Sequence, residues 1–396
     1  MATQQQGVRG LYIAFELGWE KWVLAFATEL AEKPRYRTLV ARDLNALMTE
    51  IAKAKERFKL SPDAPVFTCY EAGRDGFWLH RYLTAKGITN LVVDAASIEV
   101  NRRAKQVKTD PLDAGKLLNQ LIRYHHGEKK VWGVVNPPSW EDEDRRQTHR
   151  GLKDLQHQRT ECSNRIKGLL ASLGLAAAVD ANFRTTLDAL RDWQGQPVPA
   201  GMRERVLQEF AVWEVIHRQL RDIENARERQ LREGKSPWLD KIRRLMGLKA
   251  IGVHSAWVFV LEIFGWRQIR NGKQLGVLVG LTPTPYASGT SEREQGISKA
   301  GNRHVRGMLI EIAWMWLRLQ PASRLSQWYQ ERFGKGNSRA RKVGIVALAR
   351  KLLIALWKYV EGGAAPEGAQ EKDWQLLVNA TARRKAQAAA TAAAGS

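Results

Sequence analysis

Four carboxylates stand where cation-dependent chemistry could use them. Glu16 lies near the end of an apolar run, IAFEL, and Glu71 follows directly on PVFTCY. Asp110 and Asp113 sit three apart in KTDPLDA, a spacing that puts both on one face of a helix. Hard oxygen donors in that number suit Mg2+ or Mn2+ rather than zinc. Two such ions about 4 Å apart can activate a nucleophile and stabilise the leaving oxygen in phosphodiester cleavage. Arg102, Arg103, Lys105 and Lys108 crowd just before Asp110, which fits phosphate delivered to such a site. Each carboxylate also has an ordinary reading. Asp110 could be a helix N-cap before Pro111, and Glu71 a plain surface residue.

A second set of candidates lies far downstream, in GLTPTPYASGTSEREQGISKAGNRHVR. It reads as a Gly-rich loop carrying Ser288, Ser291 and Ser298, running through Lys299 to Arg303 and followed by a helix with Arg306. A serine flanked by glycine can expose its hydroxyl, and nearby Lys and Arg can stabilise a phosphate's developing charge. Taken alone, a loop serine is more simply a turn or cap residue. Just upstream, LMGLKAIG at 245–252 looks like a degenerate helix-hairpin-helix, whose turn amides would bind a phosphate, but reads more simply as a plain helical turn. KGNSRARK at 335–342 is a basic loop that fits nucleic acid or plain solvation. Trp314 and Trp316 read as core residues rather than base-stacking platforms, and His254 and His304 as structural histidines rather than ligands.

The elements that must position these groups follow from periodicity. Residues 10–17 and 22–28 read as two short apolar strands close enough for a hairpin, with a third strand at 36–40. Helical spacing covers 42–58, then strand 65–70, helix 76–85, strand 90–93 and helix 111–124. This order predicts a mixed α/β sheet. Val-Asn-Pro-Pro at 135–138 marks a boundary. Beyond it, 140–173 and 203–231 read as two long amphipathic helices, with Val206, Trp213 and Leu220 recurring at sevens. They suit a coiled-coil hairpin, an oligomerisation arm or a helical core. The expected domains are 1–137 (sheet), 138–235 (helical arm) and 236–380 (mainly helical), with a disordered tail at 381–396.

Length and charge narrow the function classes. At 396 residues the chain is long enough for two or three domains. With 63 Lys and Arg against 41 Asp and Glu, it carries a formal +22, which implies an anionic partner, most simply nucleic acid. From Ser236 onward there are 25 Lys and Arg against 10 Asp and Glu, so this part is the stronger candidate for a nucleic-acid surface. No apolar run reaches the roughly 18 residues of a membrane span, and MATQQQGVRG has no signal-peptide core. Two cysteines far apart, Cys69 and Cys162, argue against a disulfide scaffold or a zinc site. The expectation is a cytoplasmic, nucleoid-associated protein with no membrane partner.

IAFEL, YEAGRDGFWLHRYL and NRRAKQVKTDPLDAGKL together resemble the RuvC-like DEDD domain of one family of insertion-sequence transposases. This family is related to Piv-type DNA invertases and known as bridge-RNA-guided recombinases; KTDPLDA is the most specific of the three motifs. The downstream run from Gly280 to Arg306 is similar to the same family's C-terminal transposase domain. The resemblance implies an RNase H/RuvC-like fold for the first domain, with Glu16, Glu71, Asp110 and Asp113 as Mg2+ (or Mn2+) ligands. Glu16 departs from the family's usual Asp, and Glu20 is the weaker alternative. A serine would be the nucleophile, forming a covalent phosphoserine bond to DNA while the DEDD site comes from a neighbouring protomer. That role is carried to Ser288, with Ser291 and Ser298 as fallbacks and Lys299, Arg303 and Arg306 as phosphate contacts. The implied partners are double-stranded DNA at element ends and target, a structured noncoding guide RNA, and further copies in a dimer or tetramer. Two competing readings are a metal-only RuvC/RNase H-like nuclease without serine chemistry, and a binding protein whose acidic site is inactive.

Overall fold

The computed structural model describes residues 9–98, 109–288, 291–376 and 378–379. The basic cluster Arg102, Arg103, Lys105 and Lys108 and the tail at 381–396 lie outside them. The chain divides into two compact units, Met1–Pro138 and Ser139–Ser396.

The first unit is built on a six-stranded mixed sheet. Its strands are β1 (Leu11–Leu17), β2 (Lys21–Ala27), β3 (Arg35–Val40), β4 (Val66–Glu71), β5 (Thr89–Val93) and the two-residue β6 (Val134–Val135), in the order β3-β2-β1-β4-β5-β6. β1 and β2 form the antiparallel hairpin expected from their spacing, and β1, β4 and β5 run parallel. Because side chains alternate across the sheet, β1 supplies both layers. Leu11, Ile13 and Phe15 pack under α1 (Leu44–Arg57) and α2 (Trp78–Ala85), while Tyr12 and Ala14 pack under α3 (Asp110–His125). α1 starts where Asp43 accepts the Ala46 amide at 2.9 Å, a side-chain N-cap.

The second unit begins with α4 (Trp140–Ala171). A loop carrying the short α5 (Phe183–Ala189) leads to α6 (Ala200–Glu233). At about 1.5 Å per residue the two long helices each span roughly 50 Å. Val206, Trp213 and Leu220 form one buried seam against Leu152, Ile166 and Leu170 of α4. The heptad-like spacing is thus satisfied within one chain. Leu231, near the end of α6, enters the next core, shared with α7 (Pro237–Met246), α8 (Val253–Phe259), α10 (Arg303–Leu319) and α12 (Ser338–Gly362). Trp316 is buried in that core as expected, but Trp314, two residues earlier on α10, faces solvent. Both cysteines are buried and unbridged. Among the described residues no helix is long and apolar enough to cross a membrane.

One expectation changes. The Gly-rich stretch expected as a loop contains a β-ribbon, β7 (Pro283–Ser288) paired antiparallel with β8 (Ser291–Ile297). A two-stranded ribbon leaves each strand one free edge, so Pro283 and Pro285, which lack an N–H, are tolerated in β7. In the turn after α7, most amides are already engaged within the protein. The Gly247, Leu248 and Ile251 amides bond within the turn region, Lys249 N donates to the Gln370 carbonyl, and Gly252 N donates to Ser255 Oγ.

Candidate active site

Register and alternation bring the first-unit carboxylates to one end of one sheet face. Phe15 of β1 stands opposite Tyr70 of β4, so Glu16 and Glu71 follow at the same level at the carboxyl ends of two parallel strands. Tyr12 and Ala14 of β1, and Phe67 and Cys69 of β4, belong to the α3 layer. Counting by twos places Glu16 and Glu71 on that same face. α3 runs antiparallel to β1. Its last turn carries His125, whose ring packs on Tyr12 with centroids 5.7 Å apart, while the Leu117 carbonyl lies 3.8 Å from Cys69 Sγ. The first turn of α3, bearing Asp110 and Asp113, therefore sits toward the strand ends that carry Glu16 and Glu71.

The local chemistry of this edge is open. The N-cap of α3 is Thr109 rather than Asp110, which is the first helical residue, followed by Pro111. Asp110 and Asp113 in the first turn both favour the helix dipole. Asp113 accepts from Lys116 Nζ at 3.1 Å. Glu71 and Asp110 are exposed and make no ion pair among the described residues. Glu16 is half-buried, whereas Glu20 is exposed on the β1–β2 turn. Four carboxylates are a suitable donor set for a hard divalent cation. They share an edge and a face, but among the described residues no three His, Cys, Asp or Glu side chains are gathered closely enough to hold an ion.

In the second unit the ribbon sets the serines apart. Ser288 and Ser291 are register partners at its far end. Ser298 is at the base, where its amide donates to the Thr282 carbonyl at 2.9 Å. At about 3.3 Å per residue, base and far end are separated by roughly 17 Å. Lys299, Arg303 and Arg306 belong with Ser298 at the base. Lys299 takes a left-handed backbone, φ +55°, and its amide donates to the Gly280 carbonyl at 3.2 Å. Arg306 Nη1 donates to the carbonyls of Val279 and Lys299, each at 3.0 Å. This guanidinium clamps the ribbon's base; Arg303 is exposed. In register, Arg293, opposite Tyr286, is the basic residue nearest Ser288.

Behind this base lies a charged network that motif reading missed. Glu262, 2% exposed, sits in a π-helical turn, Val260–Phe264, that continues α8. Arg150 of α4 grips it with two hydrogen bonds, Nε at 2.9 Å and Nη2 at 3.1 Å. Asn302 Nδ2 donates to it at 2.8 Å. Burial pushes the Glu262 carboxyl up, but Arg150, Arg146 and Asn302 outweigh that and hold it below the usual carboxylate range. Asn302 is also the N-cap of α10, its Oδ1 accepting the His304 and Val305 amides. One side chain thus ties the buried carboxylate to the helix that follows the ribbon.

A buried histidine extends the network. Arg227 Nη2 lies 2.8 Å from His149 Nδ1, and the His254 ring lies 5.8 Å away, centroid to centroid. Burial, then the charge of Arg227, pushes His149 down to about 3. It is neutral near pH 7, with Nδ1 accepting from Arg227. His304 Nδ1 lies 2.6 Å from Lys153 Nζ. The sequence signal for Glu262 was a lone carboxylate inside the apolar run AWVFVLEIFGW. Nothing local pointed to its partners.

Comparison with known proteins places the chain among transposases. A profile described as "Transposase IS116/IS110/IS902 family" matches residues 242–330, which include the buried network's Glu262 and the ribbon. The chain is 38% identical over 375 residues to a putative transposase, y4rJ, of Sinorhizobium fredii, covering 91% of this chain and 94% of that protein. It is 28% identical over 213 residues to a probable family 20 transposase of Pseudomonas aeruginosa, covering 53% of this chain and 61% of that one. It is 23% identical over 212 residues to the transposase for insertion sequence element IS1328 of Yersinia enterocolitica, covering 53% of this chain and 60% of that one.

Proposed function

The chain belongs to the IS116/IS110/IS902 family of transposases, and from that premise we propose that it recombines DNA through a covalent phosphoserine intermediate, with a RuvC-like acidic edge and a guide RNA. It is an insertion-sequence transposase, an enzyme that acts on DNA. The observation that supports the finer reading is that Glu16, Glu71, Asp110 and Asp113 are carried to the same end of one sheet face. Drawn together around a cation, these carboxylates would supply oxygen donors for Mg2+ or Mn2+, whose charge would stabilise a scissile phosphate.

The protein's own groups carry the bond changes. The Ser288 hydroxyl oxygen attacks phosphorus, and the bond from phosphorus to a deoxyribose oxygen breaks. A serine phosphodiester and a free DNA hydroxyl result, the hydroxyl proton passing in net terms to the departing oxygen. Attack by a hydroxyl of another strand then forms the new P–O bond and returns the serine. Bond number is conserved, so no external energy source is required. Arg306 holds the ribbon's base, and Lys299 and Arg303 supply positive charge there. Two duplexes must be cut together, so the working enzyme is a dimer or tetramer. Exposed Val212 and Val215 on α6 are apolar positions for such a contact. As the resemblance implies, the acidic edge and the serine come from different protomers.

One observation favours the metal-only nuclease. Lys299, Arg303 and Arg306 lie at the opposite end of the ribbon from Ser288. A covalent-adduct assay separates the two readings. The protein is co-expressed with the noncoding DNA flanking its gene, mixed with labelled element-junction DNA and Mg2+, and denatured in SDS. The expected result is a protease-sensitive slow band, lost in Ser288→Ala and kept in Ser291→Ala and Ser298→Ala. Metal-dependent cleavage with no adduct in any variant overturns the serine reading.

A further inference from the structure

The outer face of α10 carries an aromatic side chain that the core does not use. Trp314 is 47% exposed and is followed by the exposed Met315 and, one turn on, by Arg318. Together with Tyr329, Gly334 and Arg341 they border an open cavity of about 490 Å³. Tyr329 and Gly334 belong to α11 (Arg324–Tyr329) and the π-helical turn that follows it, and Arg341 to the first turn of α12. Among the described residues, none of those lining the cavity is acidic. Lys335, Arg339 and Lys342 stand exposed beside it. With Arg318 and Arg341 they make five cations, none with a carboxylate within 4.0 Å among the described residues.

We propose that this groove binds unpaired nucleotides, a base stacking on the Trp314 indole while Arg318 and Arg341 hold the flanking phosphates. The inference rests on the nucleic-acid function proposed above and adds a site to it. Charge complementarity selects the occupant, since five exposed cations with no ion-pair partner among the described residues call for a polyanion. The exposed ring selects its form. Bases in a duplex are stacked on one another, whereas those of a single strand or a loop offer a free π-face. Guanidinium groups beside the ring suit the phosphates on either side. Single-stranded DNA and an unpaired RNA loop share this chemistry.

The test is binding without cleavage, in a Ser288→Ala background and without divalent metal, so the fate of the serine mechanism does not enter it. Fluorescence anisotropy is read for the full chain with a labelled 20-nucleotide poly-dT, a 20-nucleotide poly-U and a duplex of equal length. Trp314→Ala is expected to weaken single-strand binding about tenfold or more while changing duplex binding less than about twofold. Trp314→Phe should restore most of the loss and, as a folded variant with a smaller ring, controls for packing. Arg318→Gln and Arg341→Gln should each lower the salt dependence of binding by about one ion. A preference for poly-dT or for poly-U names the source. Unchanged single-strand affinity in Trp314→Ala, or equal losses for single strand and duplex, overturns the proposal. So would a change in sedimentation with no change in nucleic-acid affinity, which would assign the face to a second copy of the chain.

Discussion

The carboxylates of the two units live opposite lives. Glu262 is buried, gripped by Arg150 through both oxygens and bonded to Asn302. Glu71 and Asp110 stand exposed at a sheet edge with no ion pair among the described residues, although the chain as a whole is strongly basic. A buried charge without a partner is expensive, so Glu262 is tied to the architecture around it. An exposed carboxylate costs nothing to leave open and remains available to a cation. The type of residue is the same in both places. Whether arginine reaches it decides between a strut and a carboxylate left open.

Substitution should separate the two roles, and the largest effect belongs to the strut. Glu262→Ala leaves Arg150, Arg146 and the Asn302 amide facing an empty place. It should cost about 3 kcal/mol, the low end for a broken buried pair because Arg150 is itself half exposed. Urea unfolding of the second unit measures this. Glu71→Ala and Asp110→Ala should change stability by no more than about 0.5 kcal/mol. A large destabilisation in either would break the distinction. Their expected signature is catalytic: loss of strand cleavage by about 100-fold or more, with nucleic-acid binding intact. Chelation of divalent cation in the unmutated protein should match it, and full activity in EDTA would refute the cation role.

A pH effect confined to the second unit is smaller per pH unit than the loss of the strut. His149 has its folded value pushed down to about 3 by burial and Arg227, well below the ordinary 6.5 or so. As pH falls through 6.5 the unfolded chain takes up a proton that the folded chain refuses. Stability contributed by this site is therefore complete above about pH 7 and declines by up to about 1.4 kcal/mol per pH unit between roughly pH 6 and 3. His254, lowered by burial and Arg227, acts in the same direction. His149→Gln, which can still accept from Arg227, should flatten the slope. An unchanged slope in that variant would show that other groups govern acid unfolding.

The local, periodic features were legible in the sequence. Runs such as GLYIAFEL and WVLAFAT alternate under two cores, and their strands fall within a residue or two of expectation. Five strands and three helices of the first unit follow from such patterns, whereas the two residues of β6 carry no period at all. The acidic edge was partly legible: strand ends and a helix N-terminus suggested it, but only the Phe15–Tyr70 register puts Glu16 level with Glu71. The β7–β8 ribbon was hidden because its prolines and glycines are loop residues everywhere except on a free edge. The Glu262 network was hidden for another reason. Its partners lie 112 and 40 residues away in sequence, so only tertiary structure joins them. The same limit applies to Trp314 and Trp316, alike in sequence context yet on opposite sides of one helix.

The smallest predicted effect sharpens the link between strut and ribbon. Asn302 does two jobs: it caps α10 through Oδ1 and donates Nδ2 to Glu262. Asn302→Asp keeps a capping oxygen, which also favours the helix N-terminus electrostatically, but places a second carboxylate against Glu262. Asn302→Ala removes both contacts and should cost about 1–2 kcal/mol, the usual loss of a cap with some addition for the buried acceptor. If capping dominates, the Asp variant is the more stable of the two. If the contact to Glu262 dominates, the order reverses, and a double substitution with Glu262→Gln should recover stability in the Asp background. The second outcome is expected, because Glu262 is held ionised by Arg150 and Arg146 and a new charge beside it has little water to screen it. Thermal unfolding of the three variants decides the order. A ranking with Asp above Ala would mean that α10 depends on its cap alone and that Glu262 holds α4 without holding the ribbon.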